Sequence, residues 1–181
     1  MKFSSLILMT AAVFVLASCA GGDSAVKPSS FKTYSGQNFG ISFGYPSEWK
    51  NLIEDTASVW VSSPDKADIL YVLVNSGASL DQIAEKSLFT LTSGASKIDP
   101  ENVKGTDQIL LEDSFLKNCG ADSGYSTARK FFAGKDSYSA QFIVMKKGTN
   151  QYILHMLTKS ESLEQYGPVN ARIIDSFKIA K

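Results

Sequence analysis

The chain has 181 residues, 44% of them hydrophobic, and its 18 basic and 18 acidic side chains give a formal net charge of zero at pH 7. This length and composition are sufficient for one domain with a hydrophobic core. Because the charges balance, no bulk electrostatic attraction favours nucleic acid or an anionic lipid surface. Neither is expected as a partner selected by charge.

The first 19 residues have the organisation of an export signal. Lys2 precedes an apolar run over residues 6–16, which leads into the segment Leu16-Ala17-Ser18-Cys19. This order resembles the signal peptide and lipobox of bacterial lipoproteins. The resemblance implies that residues 1–18 are removed and that Cys19 becomes the lipid-carrying first residue of the mature chain. The residues recognised during processing would be Leu16, Ala17 and Ser18.

Two other interpretations of this segment are an ordinary secretory signal and a short transmembrane anchor. A spanning helix needs roughly 20 apolar residues, and this run has about 11. An ordinary signal favours small residues of the Ala-x-Ala type before the cut, which Leu16-x-Ser18 matches less well. The lipoprotein interpretation predicts a cell-envelope protein, lipid-anchored to a membrane and facing the periplasm or the exterior. The lipid on Cys19 is the only non-protein group expected, with no other cofactor.

Residues 19–30 are predicted to form a flexible tether. Residues 20–30 are rich in Gly, Ser, Ala and Pro and contain no large apolar side chain, so they cannot bury enough surface to become ordered. A tether of about a dozen residues reaches at most about 35–40 Å. No second linker or internal repeat follows, and residues 31–181 are therefore predicted to form a single domain.

The first half of this domain is predicted to contain three strands and a helix. Residues 39–45 alternate aromatic or aliphatic side chains with Gly and Ser, which is typical of a strand with one apolar face, and Pro46 ends it. Residues 56–62 and 68–75 are further strands. The second of these is apolar on both faces, which indicates a central strand. A helix is predicted to start at Ser79 with a capping box.

The second half is predicted to be an antiparallel meander followed by a helix. After a strand at residues 108–112, three runs at 125–132, 137–146 and 151–158 are joined by loops of hairpin length. A helix over 161–175 is expected to break at Gly167-Pro168, and Phe177 and Ile179 are expected to close the sheet as an edge strand. This order of elements favours an α+β fold with one antiparallel sheet flanked by helices.

Residues 39–49, with the sequence Phe-Gly-Ile-Ser-Phe-Gly-Tyr-Pro-Ser-Glu-Trp, resemble the opening of PsbP-like domains, where an aromatic strand leads into a Tyr-Pro-x-x-Trp turn. The resemblance implies an α/β/α sandwich and a binding or assembly role rather than catalysis. The family includes accessory proteins of photosystem II, Ran-binding Mog proteins and bacterial lipoproteins. No residue of the chain matches a photosystem docking or metal site, so the photosynthetic function does not transfer.

The candidate ligand or partner surface of this turn consists of Tyr45, Trp49 and Phe43. Because Pro46 ends the strand, Trp49 can fold back over the sheet edge, where it either fills the core or forms a stacking platform with Tyr45. A pocket between sheet and helices is a second possibility. Its lining would come from the aromatic residues Phe31, Phe39, Phe43, Tyr45, Trp49, Phe131 and Phe132.

Catalytic and metal-binding patterns are absent from the sequence. His155 is the only histidine and lies inside a predicted strand, so any histidine-dependent hydrolysis depends on it. With Cys19 lipidated, Cys119 is the one remaining thiol; it is interpreted as a buried bystander, with a reactive thiol or an intermolecular bridge as alternatives. One histidine and one cysteine cannot form a structural zinc site, and no metal is expected.

The function predicted from these features is that of a membrane-anchored lipoprotein. Its non-catalytic domain would bind or help to assemble a partner protein at the cell envelope. The alternative is a module that binds a small molecule or lipid, and an envelope hydrolase using His155 is the third hypothesis. The identity of the partner or ligand is left open.

Overall fold

The computed structural model describes residues 30–94, 98 and 104–180. The predicted signal peptide, Cys19 and the tether up to residue 29 lie outside these residues. So do the proposed recognition residues Leu16, Ala17 and Ser18. Among the described helices, none is long and apolar enough to cross a membrane.

Eleven strands and three helices make up the part of the chain that the structure describes. The strands are β1 (Phe31–Gly36), β2 (Ile41–Pro46), β3 (Lys50–Glu54), β4 (Ser58–Ser62), β5 (Asp68–Val74), β6 (Lys104–Gly105), β7 (Ile109–Leu110), β8 (Ser123–Ala133), β9 (Asp136–Lys147), β10 (Asn150–Lys159) and β11 (Lys178–Ile179). The helices are α1 (Leu80–Leu91), α2 (Asp113–Cys119) and α3 (Leu163–Ser176), the last preceded by a 3₁₀ turn at Ser160–Ser162.

The main sheet has eight antiparallel strands in the order β3-β4-β5-β10-β9-β8-β6, with β7 also paired to β8. Its centre is the pair β5 and β10, in which Val72 lies opposite Leu154. Both strands are buried along nearly their whole length, as the continuous apolar run in β5 predicts. The meander β8-β9-β10 is also confirmed, with tight hairpins at residues 133–136 and 147–150.

Each face of the main sheet has its own hydrophobic core. On one face α1 packs with Ile83, Leu88 and Leu91 against β5, β9 and β10. On the other face α3, α2 and a second sheet cover the strands. That second sheet has three strands in the order β1-β2-β11. The α+β class, with helices on both faces of an antiparallel sheet, is therefore confirmed, although the strands form two sheets instead of one.

Local sequence signals explain where two helices begin and end. Ser79 Oγ accepts the backbone N–H of Gln82, and Gln82 Oε1 accepts the N–H of Ser79, so the predicted capping box at the start of α1 is present. Helix α2 ends at Gly120, whose φ of 83° lies in the left-handed region that glycine adopts without strain.

The expected break at Gly167-Pro168 is wrong, because α3 runs without interruption from Leu163 to Ser176. A proline disfavours a helical residue before it by clashing with that residue's Cβ, and Gly167 has no Cβ. Pro168 also removes one hydrogen bond to the carbonyl four residues earlier. That carbonyl belongs to Glu164, which is exposed and can bind water instead.

Replacing Phe43 with alanine tests how much the contact between the two sheets contributes to stability. Phe43 is 1% exposed and its ring lies 5.0 Å from that of Tyr34. We expect Phe43→Ala to lower the free energy of unfolding by about 3–5 kcal/mol in urea titrations. The matched control is Phe132→Ala, whose side chain is 44% exposed and should cost less than about 1 kcal/mol. Equal losses in the two variants would contradict this assignment of the core.

Candidate functional site

A cleft of about 220 Å³ opens beside the turn that follows β2. Three segments that are distant in sequence form its walls: the β2–β3 turn, the β4–β5 turn and the first two turns of α3. The residues lining the cleft are Glu48, Trp49, Pro64, Asp65, Gln165, Tyr166 and Val169. It combines apolar side chains with two carboxylates.

Trp49 forms one wall of the cleft and is itself almost completely buried. Strand β2 ends at Pro46, and the N–H of Trp49 donates to the Pro46 carbonyl at 3.0 Å, which closes the turn. The indole is 5% exposed and meets the Tyr166 ring edge-on, with 6.1 Å between centroids. This geometry is a favourable aromatic arrangement and joins the turn to α3. Trp49 therefore fills the core with most of its surface and contributes an edge to the cleft.

Asp65 on the opposite wall is held by three hydrogen bonds to a single oxygen. Its Oδ1 accepts from Ser63 Oγ at 2.6 Å, from the Tyr166 hydroxyl at 2.8 Å and from the Ala67 N–H at 3.1 Å. Partial burial raises the pKa of Asp65, but these donors outweigh it and lower the pKa below its ordinary value. The carboxylate is therefore ionised at neutral pH and fixed in position.

A second carboxyl group, Asp68, is fully buried nearby between β5, β10 and α3. Its Oδ1 accepts from Thr158 Oγ1 at 2.8 Å, and Thr158 Oγ1 accepts from Asn170 Nδ2 at 3.1 Å. Burial raises the pKa of Asp68 to about 8, although the bonds from Thr158 and Asn170 oppose this. Asp68 Oδ2 and Asn170 Oδ1 have no partner among the described residues.

The three residues proposed as a ligand or partner surface occupy different environments. Trp49 borders the cleft, Phe43 is completely buried between the two sheets, and Tyr45 is half-buried with its ring 6.2 Å from that of Phe43. The structure thus brings only Trp49 of the three to the cleft. Sequence reasoning did not single out Glu48, Asp65 and Tyr166, which lie at the cleft with it.

The wider set of aromatic residues does not line a common pocket. Phe39, Phe43 and Trp49 belong to the core on the α3 side of the main sheet, whereas Phe131 belongs to the core on the α1 side. Phe132 is exposed at the β8–β9 hairpin. Phe39, Phe43, Trp49 and Phe131 therefore fill the space between the layers.

His155 lies on the face of the sheet opposite to Asp68 and is 0% exposed. Its ring stacks on Phe142 at 4.3 Å, and Nδ1 lies 3.0 Å from the Gln141 carbonyl. Because a carbonyl only accepts, Nδ1 carries the proton and Nε2 is buried without a partner among the described residues. Burial lowers the pKa of His155 to about 4, so the ring is neutral and out of reach of a substrate.

Cys119 is buried at the end of α2. It is 1% exposed, its Sγ lies 3.8 Å from Met145 Sδ, and it forms no disulfide. This environment matches the interpretation of Cys119 as a buried bystander. Within the described ranges, no group of three or more His, Cys, Asp or Glu side chains is arranged to hold a metal ion.

No protein-family model matches the chain, and no curated protein matches its sequence. Solved structures with a similar fold exist. A crystal structure of a protein from Bacteroides thetaiotaomicron is 13% identical over 83% of this chain, with a TM-score of 0.51. This chain spans about half of that protein, 48% of its length. At this identity the similarity concerns the fold alone.

The solution structure of cyanobacterial PsbP from Synechocystis is also similar to this chain. The identity is 17%, the TM-score is 0.48, and the match covers 91% of this chain and 98% of the PsbP chain. A protein of unknown function from Pseudomonas aeruginosa, 9% identical with a TM-score of 0.43, is another similar structure.

Replacing Asp68 with asparagine is expected to change how stability depends on pH. In the folded protein the Asp68 carboxyl keeps its proton up to about pH 8. In the unfolded chain the same carboxyl loses its proton near pH 3.9. Folding thus takes up a proton between these values, so stability falls as pH rises through this window. We expect the wild-type free energy of unfolding to fall by up to about 1.4 kcal/mol per pH unit between pH 6.5 and 8. Asp68→Asn should remove this slope in urea titrations.

The window above pH 6.5 is chosen because His155 acts in the opposite direction below it. Folding lowers the pKa of His155 from 6.5 to about 4, so the folded protein loses stability as pH decreases through that range. The matched control is Asp55→Asn, since the pKa of Asp55 is lowered and it does not titrate in this window. The control should keep the wild-type slope, and a slope that persists in Asp68→Asn would refute the assignment.

Proposed function

We propose that this protein is a lipid-anchored, non-catalytic binding domain that holds a partner protein at the cell envelope through the cleft beside Trp49. The lipobox-like segment ending at Cys19 supports the anchor. The location of the cleft beside the end of the tether supports its use as the docking position. The docking proposal uses the position of the tether, and the two proposals are tested separately below.

The observation that carries the docking proposal is where the chain enters the domain. Ser30 is bonded twice to Ser47: its carbonyl accepts the Ser47 N–H at 3.0 Å, and the two hydroxyl oxygens lie 2.6 Å apart. Ser47 is followed directly by Glu48 and Trp49, which line the cleft. A tether from residue 19 to residue 30 would therefore keep the cleft within about 40 Å of the membrane.

A protein partner fits the dimensions of the cleft better than a free small molecule does. Pockets for small molecules usually have volumes of about 300–1,000 Å³. The cleft has about 220 Å³. It is large enough for one or two side chains that project from another protein surface.

Catalysis is not supported by the two buried titratable groups. Asp68 and His155 are both fully buried, and they project from opposite faces of the main sheet because Thr158, the partner of Asp68, is three residues from His155 in the same strand. They cannot act on one substrate. The hydrolase hypothesis therefore loses the general base on which it depends.

Replacing Cys19 with serine tests the anchor. If the cysteine carries lipid, Cys19→Ser should move the protein from the membrane fraction to the soluble fraction and abolish labelling by a radioactive fatty acid. Cys119→Ser is the matched control and should change neither result, because Cys119 is buried in the domain. Membrane retention and labelling that are unchanged in Cys19→Ser would show that the lipobox interpretation is wrong.

Photo-crosslinking in intact cells tests the docking position. A benzoyl-phenylalanine placed at Gln165 lies on the cleft, whereas one at Thr149 lies at the other end of β10, roughly 30 Å along the strand. We expect a crosslinked product of defined mass from Gln165 and a much weaker one from Thr149. The same products in equal yield from both positions, or none from Gln165, would contradict the proposal.

A further inference from the structure

The charge of the cleft distinguishes it from the rest of this nearly neutral protein. Two of its lining residues, Glu48 and Asp65, are acidic, and among the described residues that line it there is no Lys, Arg or His. Two cations of neighbouring elements are directed elsewhere: Lys66 Nζ donates to Ser93 Oγ at 3.0 Å, and Arg172 lies over the Phe31 ring at 3.9 Å. The lining of the cleft is therefore acidic.

Asp65 is prepared to accept a hydrogen bond from outside the protein. All three of its donors bind Oδ1, and no described residue bonds to Oδ2. The turn that presents it is rigid, because Ser63 Oγ also accepts the backbone N–H groups of Ala67 and Asp68. A fixed, ionised carboxylate with one available oxygen binds a cationic donor without first having to become ordered.

The other walls are mainly apolar, with Gln165 as a polar side chain among them. Pro64, Val169 and the edges of the Trp49 and Tyr166 rings face the same space as the two carboxylates. Lysine and arginine side chains have the complementary construction, with an apolar stem and a charged end. A cation close to an aromatic ring gains additional attraction. The cleft volume of about 220 Å³ is also of the size of a single long side chain and not of a larger ligand.

We propose that the cleft binds a lysine or arginine side chain that projects from a basic segment of the partner protein. The apolar stem lies against Trp49, Tyr166 and Val169, and the charged end donates hydrogen bonds to Asp65 Oδ2 and to Glu48. This inference rests on the proposed docking function and names the chemistry of the partner. Such a site would let a chain with no net charge select a charged partner locally.

The test uses a pentapeptide, acetyl-Gly-Gly-Arg-Gly-Gly-amide, and its analogue with citrulline, which has nearly the same shape and no charge. Binding to the isotope-labelled domain is followed by NMR through the Trp49 indole and the Gln165 backbone amide. We expect saturable shifts with the arginine peptide, at least tenfold weaker binding of the citrulline peptide, and weaker arginine binding at high salt.

Two variants locate the interaction. Glu48→Gln and Asp65→Asn should each weaken arginine-peptide binding several-fold, because each removes a carboxylate and keeps nearly the same shape. The matched control is Glu85→Gln on the exposed side of α1, across the main sheet from the cleft, and it should leave binding unchanged. Equal binding of the two peptides, or full binding by Glu48→Gln, would overturn the inference.

The same variant in cells separates this inference from the proposed docking function. If benzoyl-phenylalanine at position 165 captures a partner, and captures much less of it when Glu48→Gln is added, both proposals are supported. Capture that is unaffected by Glu48→Gln would refute the basic side chain and leave the docking function standing. If free arginine binds as tightly as the peptide and benzoyl-phenylalanine at position 165 captures no protein, the cleft binds a small molecule and both proposals are wrong.

Discussion

The pairing of β5 with β10 brings together two strands whose side chains are apolar on both faces, and such a pair is stable in water only when both faces are covered. Helix α1 covers one face, and α3 with the small β1-β2-β11 sheet covers the other. The second cover is assembled from both ends of the domain, since β2 lies near its start and β11 near its end. The positions of the Trp49 turn and of α3, and therefore of the cleft between them, follow from this requirement.

Polar groups interrupt the two cores at a few positions, and one group of them joins α3 to the main sheet. On the α3 side, Asp68 and Thr158 in the sheet bond to each other and to Asn170 in the helix. This network sets the rotation and height of α3 over the sheet more specifically than apolar contacts can. Tyr166, one turn earlier in α3, then reaches Asp65 with its hydroxyl. The buried network and the cleft are thus consecutive parts of one helix–sheet contact.

Periodicity and capping in the sequence predict the elements that are long or strongly patterned: β5, α1 and the β8-β9-β10 meander. They do not predict β3, whose Leu52 and Ile53 are largely exposed, or the seven-residue α2, which is too short to show a period. The cleft is harder to predict still. Tyr166 meets Asp65 across a sequence separation of 101 residues, and only tertiary packing relates the two. The Tyr-Pro-x-x-Trp turn identifies Trp49, but the surroundings of Trp49 come from distant segments.

The two hydrogen bonds between Ser30 and Ser47 also have a mechanical consequence. A pull between the proposed tether and a partner docked in the cleft would enter at Ser30 and pass through Ser47 to the Glu48–Trp49 turn, a path of only a few residues. A load between the proposed tether and a docked partner would therefore enter and leave the domain at neighbouring points of the structure.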